Sequence, residues 1–578
     1  MTDNNIENTE KTNEYKKRLP ELLAPAGSPE ALRAAVEAGA DAVYLGMTAF
    51  NARMSAKNFT RADLCDAVAY AHERGVRVYV TLNTATLDRE MRQLVELCDF
   101  LYRSDVDALI VSDLGLASVI RARYPDFELH GSTQCSGHNS DAAKFLAEHG
   151  FSLMVAAREL SGENLKKLIS RSPIPIEVFV HGALCVSASG QCLMSSMVGG
   201  RSGNRGECAQ PCRLPYNNRY PLSLKDNCLA GHITELIEMG VASLKIEGRM
   251  KSPDYVSAVV SVYRRLLDEG RNASESEIAY LAKVFSRNGF TDGYFTGDMK
   301  NMNGVRTDEN KAESGHIKPL YRNAARTLSP IPPYCRNVPP DTALPKPHYA
   351  EKTAGEQSSA RFYDAKAIPE DGGFDIVYLP LDRFDGKKAN GVILPPVIPD
   401  GELDRVQKEL SAAKSAGALH ALVGNIGHLR LAGELGFVLH GDFRLNITNS
   451  YSAALFSEIL ADFILSPELT LPQIRDIGGA KAVAVYGRLP LMTLEKDPGS
   501  RLLTDRRRVN FPIICEGGRF IVINSVPIYM ADRVGELAKA GKFGRHFIFT
   551  VEGPQEVRYV IANYAKGLPT KKEIRRIK

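Results

Sequence analysis

With 578 residues the chain is too long for one ordinary domain; the usual domain sizes allow about two to four, and two is the expectation. A hydrophobic fraction of 44% beside 24% charged residues is that of a soluble globular protein, and no run of about 18 apolar residues is present that would span a bilayer. The net charge of +4 is too small to name nucleic acid as a partner, although RRR at 506–508 and KKEIRRIK at the C-terminus are local clusters suited to phosphates or to a solvated surface.

Residues 1–19 are polar and lack the apolar core of a secretory signal, so they read as a disordered tail on a cytoplasmic chain. From residue 20 to about 250, short runs rich in β-branched residues alternate with segments of helical period. The expected strands are 21–26, 41–46, 78–83, 108–113, 128–132, 153–158, 176–182 and 243–248. In the first helix, Ser28 reads as the N-cap and Gly39 as the stop. Eight strand and helix units predict an α/β fold with an N-terminal (β/α)8 TIM-like barrel over 20–300, and an open doubly wound sheet is the alternative.

Barrel enzymes place their chemistry at the C-terminal strand ends. Polar residues collect there: Arg53, Asn83 and Thr84, Ser112 and Asp113, His130 and Gln134, Arg158 and Glu159, His181, then Lys245, Glu247 and Arg249. Three arginines and a lysine at one mouth suit a small anionic, carboxylate-bearing ligand, unless the glutamates neutralise them as structural pairs.

About 60 residues separate the seventh and eighth expected strands, and this loop carries Cys185, Cys192, Cys208, Cys212 and Cys228 among glycines and serines. In a reducing compartment such a group suggests metal or redox chemistry. Thiolates suit zinc or iron–sulfur, but the gaps of six, fifteen and three residues leave only the last pair with usual zinc spacing. Cys185, Cys192, Cys208 and Cys212 are the favoured ligands, with Cys228 as a substitute for one. A catalytic thiol is a further reading, because His181 lies four residues before Cys185.

The stretch EVFVHGALCVSASGQCLMS (177–195), with GGRSGNRGECAQPCRLPY (199–216), SLKIEGRMKSPDYV (243–256), ELLAPAG and LHGSTQC (129–135), resembles peptidase family U-32, the collagenase-like peptidases, over roughly residues 20–300. That family includes RNA hydroxylases that form 5-hydroxycytidine in 23S ribosomal RNA or 5-hydroxyuridine in transfer RNA, and members that assist ubiquinone hydroxylation. The resemblance implies a 4Fe-4S cluster on Cys185, Cys192, Cys208 and Cys212, the last being the ligand in which the family varies, and prephenate, a dicarboxylate, as cosubstrate. It implies RNA, rRNA or tRNA, as the macromolecular partner; His130, Arg158, His181 and Lys245 are assigned to positioning from their strand-end placement. Peptidase activity and a non-catalytic accessory role are the rivals; neither an HExxH motif nor a nucleophile elbow is present.

Residues 301–358 are rich in Pro, Asn and charge and read as a linker. Beyond it, 438–458 repeats 128–148 at an offset of 310, with seven of twenty positions identical from Leu129 to Glu148, among them the LHG and NS pairs. Residues 359–567 are therefore expected to form a degenerate second barrel-like copy, followed by a basic tail over 568–578. In that copy Leu445 stands for Cys135, Tyr486 for His181 and Pro490 for Cys185, and its counterpart of the cysteine loop is expected to have shrunk. The second copy is thus expected to hold no cluster and to dock RNA, a protein partner or the first domain.

Overall fold

The computed structural model describes residues 19–54, 56–308, 318–321, 328–339, 343–350, 357–370 and 373–577. The tail expected at 1–19 lies outside them except for Leu19, as does part of the linker. No helix of the described residues is long and apolar enough to cross a membrane.

All eight strands expected in the first half form: β1 (Glu21–Pro25), β2 (Ala42–Gly46), β3 (Arg77–Leu82), β4 (Ala108–Val111), β5 (Glu128–Gly131), β6 (Leu153–Val155) and β7 (Ile176–Ala183), with the eighth being β9 (Ser243–Ile246). Each pairs in parallel with the next, and β9 closes the barrel by pairing with both β7 and β1. The strands are apolar along nearly their whole length because helices cover one face and the barrel interior the other. Helix caps set the connections: Ser28 accepts from the Ala31 amide at the start of Pro29–Glu37, and Asn139 accepts from Ala142 at the start of Ser140–Glu148. Two short strands were not expected: β8 (Asp226–Cys228), antiparallel to the end of β7, and β10 (Phe290–Thr291) beside it.

The second copy is also a complete barrel. Its strands are β11 (Ser358–Phe362), β12 (Ile376–Pro380), β13 (Gly391–Ile393), β14 (His420–Val423), β15 (Val438–Gly441), β16 (Asp462–Ile464), β17 (Lys481–Gly487) and, as the eighth, β23 (Gly544–Phe549), which pairs with β11 to close the ring. One expectation fails here. The connection between the seventh and eighth strands has not shrunk: it is as long as its counterpart and folds into a four-stranded antiparallel sheet, β18 (Pro490–Leu494), β19 (Leu502–Thr504), β20 (Asn510–Glu516) and β21 (Arg519–Ile523), followed by β22 (Ile528–Tyr529). Repeat alignment by sequence misses this, since an antiparallel sheet shares no pattern with a cysteine loop.

The basic C-terminal segment is no free tail either. Arg575 exchanges backbone hydrogen bonds with Tyr529 and Pro527, and Arg576 pairs with Asp532. In the linker region Tyr334 donates to Asp107 at 2.6 Å and Arg336 to the Val106 carbonyl at 2.6 Å, which fastens it to the first barrel.

The barrels meet through their C-terminal strand ends, around an approximate twofold written in the repeated NS pair. The Ser140 amide and hydroxyl donate to Asp400 at 2.9 and 2.7 Å; the Ser450 amide and hydroxyl donate to Asp88 at 2.8 and 2.8 Å. Asn139 donates to the Ile398 and Gly427 carbonyls, and Asn449 to Thr86 and Asp113. At both crossings the backbone approach admits only glycine: a Cβ on Gly115 would lie 2.3 Å from the Ser452 nitrogen, and one on Gly427 would lie 2.2 Å from Asn139 Oδ1.

Candidate active site

At the mouth of the first barrel, Arg53 beyond β2, Thr81 and Asn83 at the end of β3, Gln134 beyond β5, Arg158 beyond β6, and Lys245, Glu247 and Arg249 at β9 line a cavity of about 60 Å³ walled by Tyr44 and Phe179. Glu247 sits between two guanidiniums, 2.7 Å from Arg53 and 2.6 Å from Arg158. Burial pushes its carboxyl up, but Arg158 and Arg53 overcome this and hold its pKa at about 2, so it is ionised at neutral pH. Lys245 is spent on a buried partner, Glu177, at 2.6 Å. Arg249 differs. It is buried, burial lowers its pKa to about 10, and it donates to the Thr81 hydroxyl at 3.1 Å. Three guanidiniums facing one carboxylate leave this mouth with surplus positive charge in a low-dielectric wall, an environment that favours a bound dianion.

Next to it lies a second cavity of about 200 Å³, lined by Cys185, Cys192, Cys208 and Cys212 together with Arg53, Gln134, Arg158 and Glu247 from the first. The sequence pattern thus brings its four favoured cysteines to one place, directly beside the cationic mouth. All four are free thiols. Cys185 is accessible yet surrounded by protein, because it faces the cavity and not the outer surface. Burial, then the neighbouring cysteines, raise the Cys192 thiol, and burial with Cys185 nearby pushes Cys212 up to about 12. A metal centre among them is the counter-charge that would stabilise such groups as thiolates. Among the described residues no three His, Cys, Asp or Glu side chains converge tightly enough to grip a single ion, so the cysteines surround a space and not a point.

Both barrels shape this loop. From the first, Glu159 accepts from the Ser189 amide and hydroxyl at 2.8 and 2.9 Å while receiving His138 at 2.5 Å, and Ser136 donates to the Ser189 carbonyl at 2.6 Å. From the second, β18 lies along the stretch between Cys185 and Cys192: the Ala188 amide donates to the Thr493 carbonyl at 2.7 Å and the Leu193 amide to the Leu491 carbonyl at 2.8 Å. Met492 of this strand lines the cysteine cavity itself.

The expected positioning residues divide. Arg158 and Lys245 reach the mouth; His130 and His181 do not. His130 packs edge-on against Tyr79 at 4.8 Å, with Nε2 3.5 Å from Glu128 at the far end of the same strand, below the mouth. His181 lies against Tyr263, Tyr255 and Phe290, and burial lowers its pKa to about 3. A register shift between Phe179 and His181 turns the strand, so that Phe179 enters the cavity wall and His181 points into the layer beneath the helix Pro253–Glu269. Cys228 pairs opposite His181 and contacts the Tyr263 hydroxyl at 3.8 Å, away from the other four cysteines, and so is no substitute ligand. Sequence reasoning left Arg53, Glu247 and Arg249 in the general ring of strand-end residues without a role. It missed Arg213, Arg287 and Met492, which also line the cysteine cavity; Met492 comes from the other barrel, for which no local signal exists.

At this end of the second barrel a cavity of about 60 Å³, lined by Asn425, Arg444 and Asn446, is shared with Asn83, Ser112 and Gln134 of the first. Arg361 and Arg444 close on Asp442 at 2.7 and 2.8 Å in the second barrel's interior, all buried. A cavity of about 710 Å³ opens at its opposite, N-terminal end, where His440 links His420 at 3.0 Å and Asp462 at 2.9 Å; that end of such barrels ordinarily serves stability.

Residues 27–304 match the family model described as peptidase family U32. The chain is 42% identical over 259 residues to the 23S rRNA 5-hydroxycytidine C2501 synthase of Escherichia coli (strain K12), a match covering 43% of this chain and 39% of that one. It is 39% identical over 268 residues to tRNA hydroxylation protein P1 of Bacillus subtilis (strain 168), covering 43% and 64%. It is also 35% identical over 308 residues to a protein named collagenase in Porphyromonas gingivalis, covering 48% and 73%. The first two matches therefore span less than two thirds of those relatives.

Proposed function

The chain belongs to peptidase family U32, and from that premise we propose that it is an iron–sulfur-dependent RNA hydroxylase, forming a 5-hydroxypyrimidine in ribosomal or transfer RNA with prephenate as cosubstrate. The observation that carries the reading is the shared wall of Arg53, Gln134, Arg158 and Glu247 between a four-thiol cavity and a cationic pocket. Relatives named for rRNA and tRNA hydroxylation support the choice of substrate.

Cys185, Cys192, Cys208 and Cys212 would hold the cluster, because a 4Fe-4S centre takes one thiolate per iron and needs a cavity ringed by thiols, not a single-ion cage. When bound, the cluster supplies one-electron chemistry beside the mouth. The chain's own residues do the rest. Arg249 pairs with one carboxylate of the dicarboxylate cosubstrate, while Arg53 and Arg158, fixed by Glu247, orient the other side of the pocket. A target base exposes C5 to attack only when it is unstacked.

The peptidase reading lacks a built nucleophile: no histidine lines either cavity, and His181 faces away from Cys185. Mass spectrometry of ribosomal and transfer RNA from cells with and without the protein decides the matter; equal hydroxypyrimidine levels in both pools would exclude the hydroxylase. For the cluster, anaerobically purified protein is expected to absorb broadly near about 400 nm. Cys192→Ala removes that band and the bound iron, and Cys228→Ala keeps both.

A further inference from the structure

Outside the two cavities, the turn between β19 and β20 carries Arg506, Arg507 and Arg508, all exposed. Three consecutive arginines on a surface are most simply a solvated face, but two features set these apart. The acid at the tip is turned inward: Asp505 Oδ1 accepts from the Arg507 and Val509 amides, both at 2.8 Å, and no carboxylate of the described residues pairs with the three guanidiniums. The hairpin is also strapped to the cysteine loop. The Asn217 amide donates to the Thr504 carbonyl at 2.9 Å, the Thr504 amide returns a bond to Asn217 Oδ1 at 2.9 Å, and Asn217 Nδ2 donates to the Leu502 carbonyl at 2.8 Å. Asn217 and Asn218 both take left-handed backbone angles, φ 51 and 59, which makes a tight, stiff turn immediately before exposed Arg219 and Tyr220.

We propose that this hairpin is a docking surface for the phosphate backbone of RNA, with Arg506, Arg507, Arg508 and Arg219 meeting phosphates and Tyr220 offering a face on which an unpaired base stacks. It rests on the hydroxylase reading and adds to it the part of the chain that holds the substrate. Asn217 is five residues beyond Cys212, so the arginines are held in a constant relation to the cysteine cavity, and the inserted sheet of the second barrel joins substrate docking to the support of the cysteine loop. Unpaired guanidiniums are suited to this role because phosphate contacts fix register on a nucleic acid through charge, without reading its sequence.

The test uses the full-length protein with bulk transfer RNA and protein-free 23S ribosomal RNA, measuring binding across a salt series. The triple variant Arg506→Gln, Arg507→Gln, Arg508→Gln is expected to weaken binding about tenfold or more at low salt, and to flatten the slope of log K against log salt by about two to three. Its melting temperature and its absorbance near about 400 nm are expected to match the unaltered protein. The corresponding triple Arg→Lys variant, which keeps the charges, is expected to retain affinity within about threefold. Unchanged affinity and slope in the Gln variant, equal loss in the Gln and Lys variants, or absence of RNA binding by the unaltered protein would each overturn the docking proposal. Failure of the hydroxylase reading shows separately: RNA would bind, and the Gln variant would bind it less well, while hydroxypyrimidine levels stayed the same with and without the protein.

Discussion

Arg249 illustrates how much a single buried charge discloses. Lys245 has Glu177, and Arg53 and Arg158 share Glu247, so those cations are held by the fold itself. Arg249 is buried with a hydroxyl in place of a carboxylate, which a folded chain tolerates only at a cost. Arg249→Gln is therefore expected to lower affinity for a dicarboxylate cosubstrate by about tenfold or more, since a charge-assisted pair contributes about 1.5–3 kcal/mol, and to leave the melting temperature equal or higher. Calorimetric titration with differential scanning measures both; a fall in melting temperature with unaltered affinity would make Arg249 a structural residue. At this scale the sequence was legible for Arg158, Lys245 and the four cysteines, because residue type and strand-end position settle where such groups gather. For His130 and His181 it was misleading. Position near a strand end does not say which way a side chain points, and the register shift after Phe179 reverses the alternation on which that reading depends.

Among the elements, the loop between β7 and β8 is the least self-sufficient. Its backbone amides are satisfied by Glu159 on one side and by β18 on the other, so its shape is imposed by neighbours. Gly190 marks the tightest point: its φ is +77, and a Cβ there would meet the Gln134 carbonyl oxygen at 2.4 Å. Gly190→Val combines a forbidden backbone angle with that clash, and is expected to displace the segment bearing Cys185 and Cys192. The expected outcome is loss of bound iron and of the visible band with both barrels still folded, as read by metal analysis beside far-ultraviolet circular dichroism; full iron content in the variant would show that the loop adapts. The strands around this loop were legible because a buried parallel strand must be apolar on both faces. The inserted sheet was not, since its place in the second copy is known only by comparing two barrels that are closed.

In the whole molecule, the two barrels are joined by a reciprocal set of hydrogen bonds. Asp88 and Asp400 each take two hydrogen bonds from the serine that follows a helix N-cap on the opposite barrel, and glycine on either side permits the approach. A single cooperative thermal transition is therefore expected, with van't Hoff and calorimetric enthalpies in agreement. Asp88→Ala with Asp400→Ala removes the four serine–aspartate hydrogen bonds and the Arg171–Asp400 pair between the barrels, costs about 1–2 kcal/mol at each site, and is expected to split or broaden the transition. A sharp single transition in the double variant would place the coupling elsewhere in the interface.

The repeat itself is legible at an offset of 310 because the identical positions carry the same local duties, an inward histidine, a tight glycine and a capping asparagine. By itself the chain determined the barrel architecture, the existence of a second copy and the identity of the clustered cysteines, all of which follow from periodicity and residue chemistry along the backbone. Only the tertiary structure decided that the NS pair is a reciprocal latch, that the second barrel is closed and carries a sheet supporting the cysteine loop, and that Arg249 and not His181 faces the cavity. Those outcomes depend on the direction of side chains and on contacts between residues hundreds of positions apart, which no local pattern encodes.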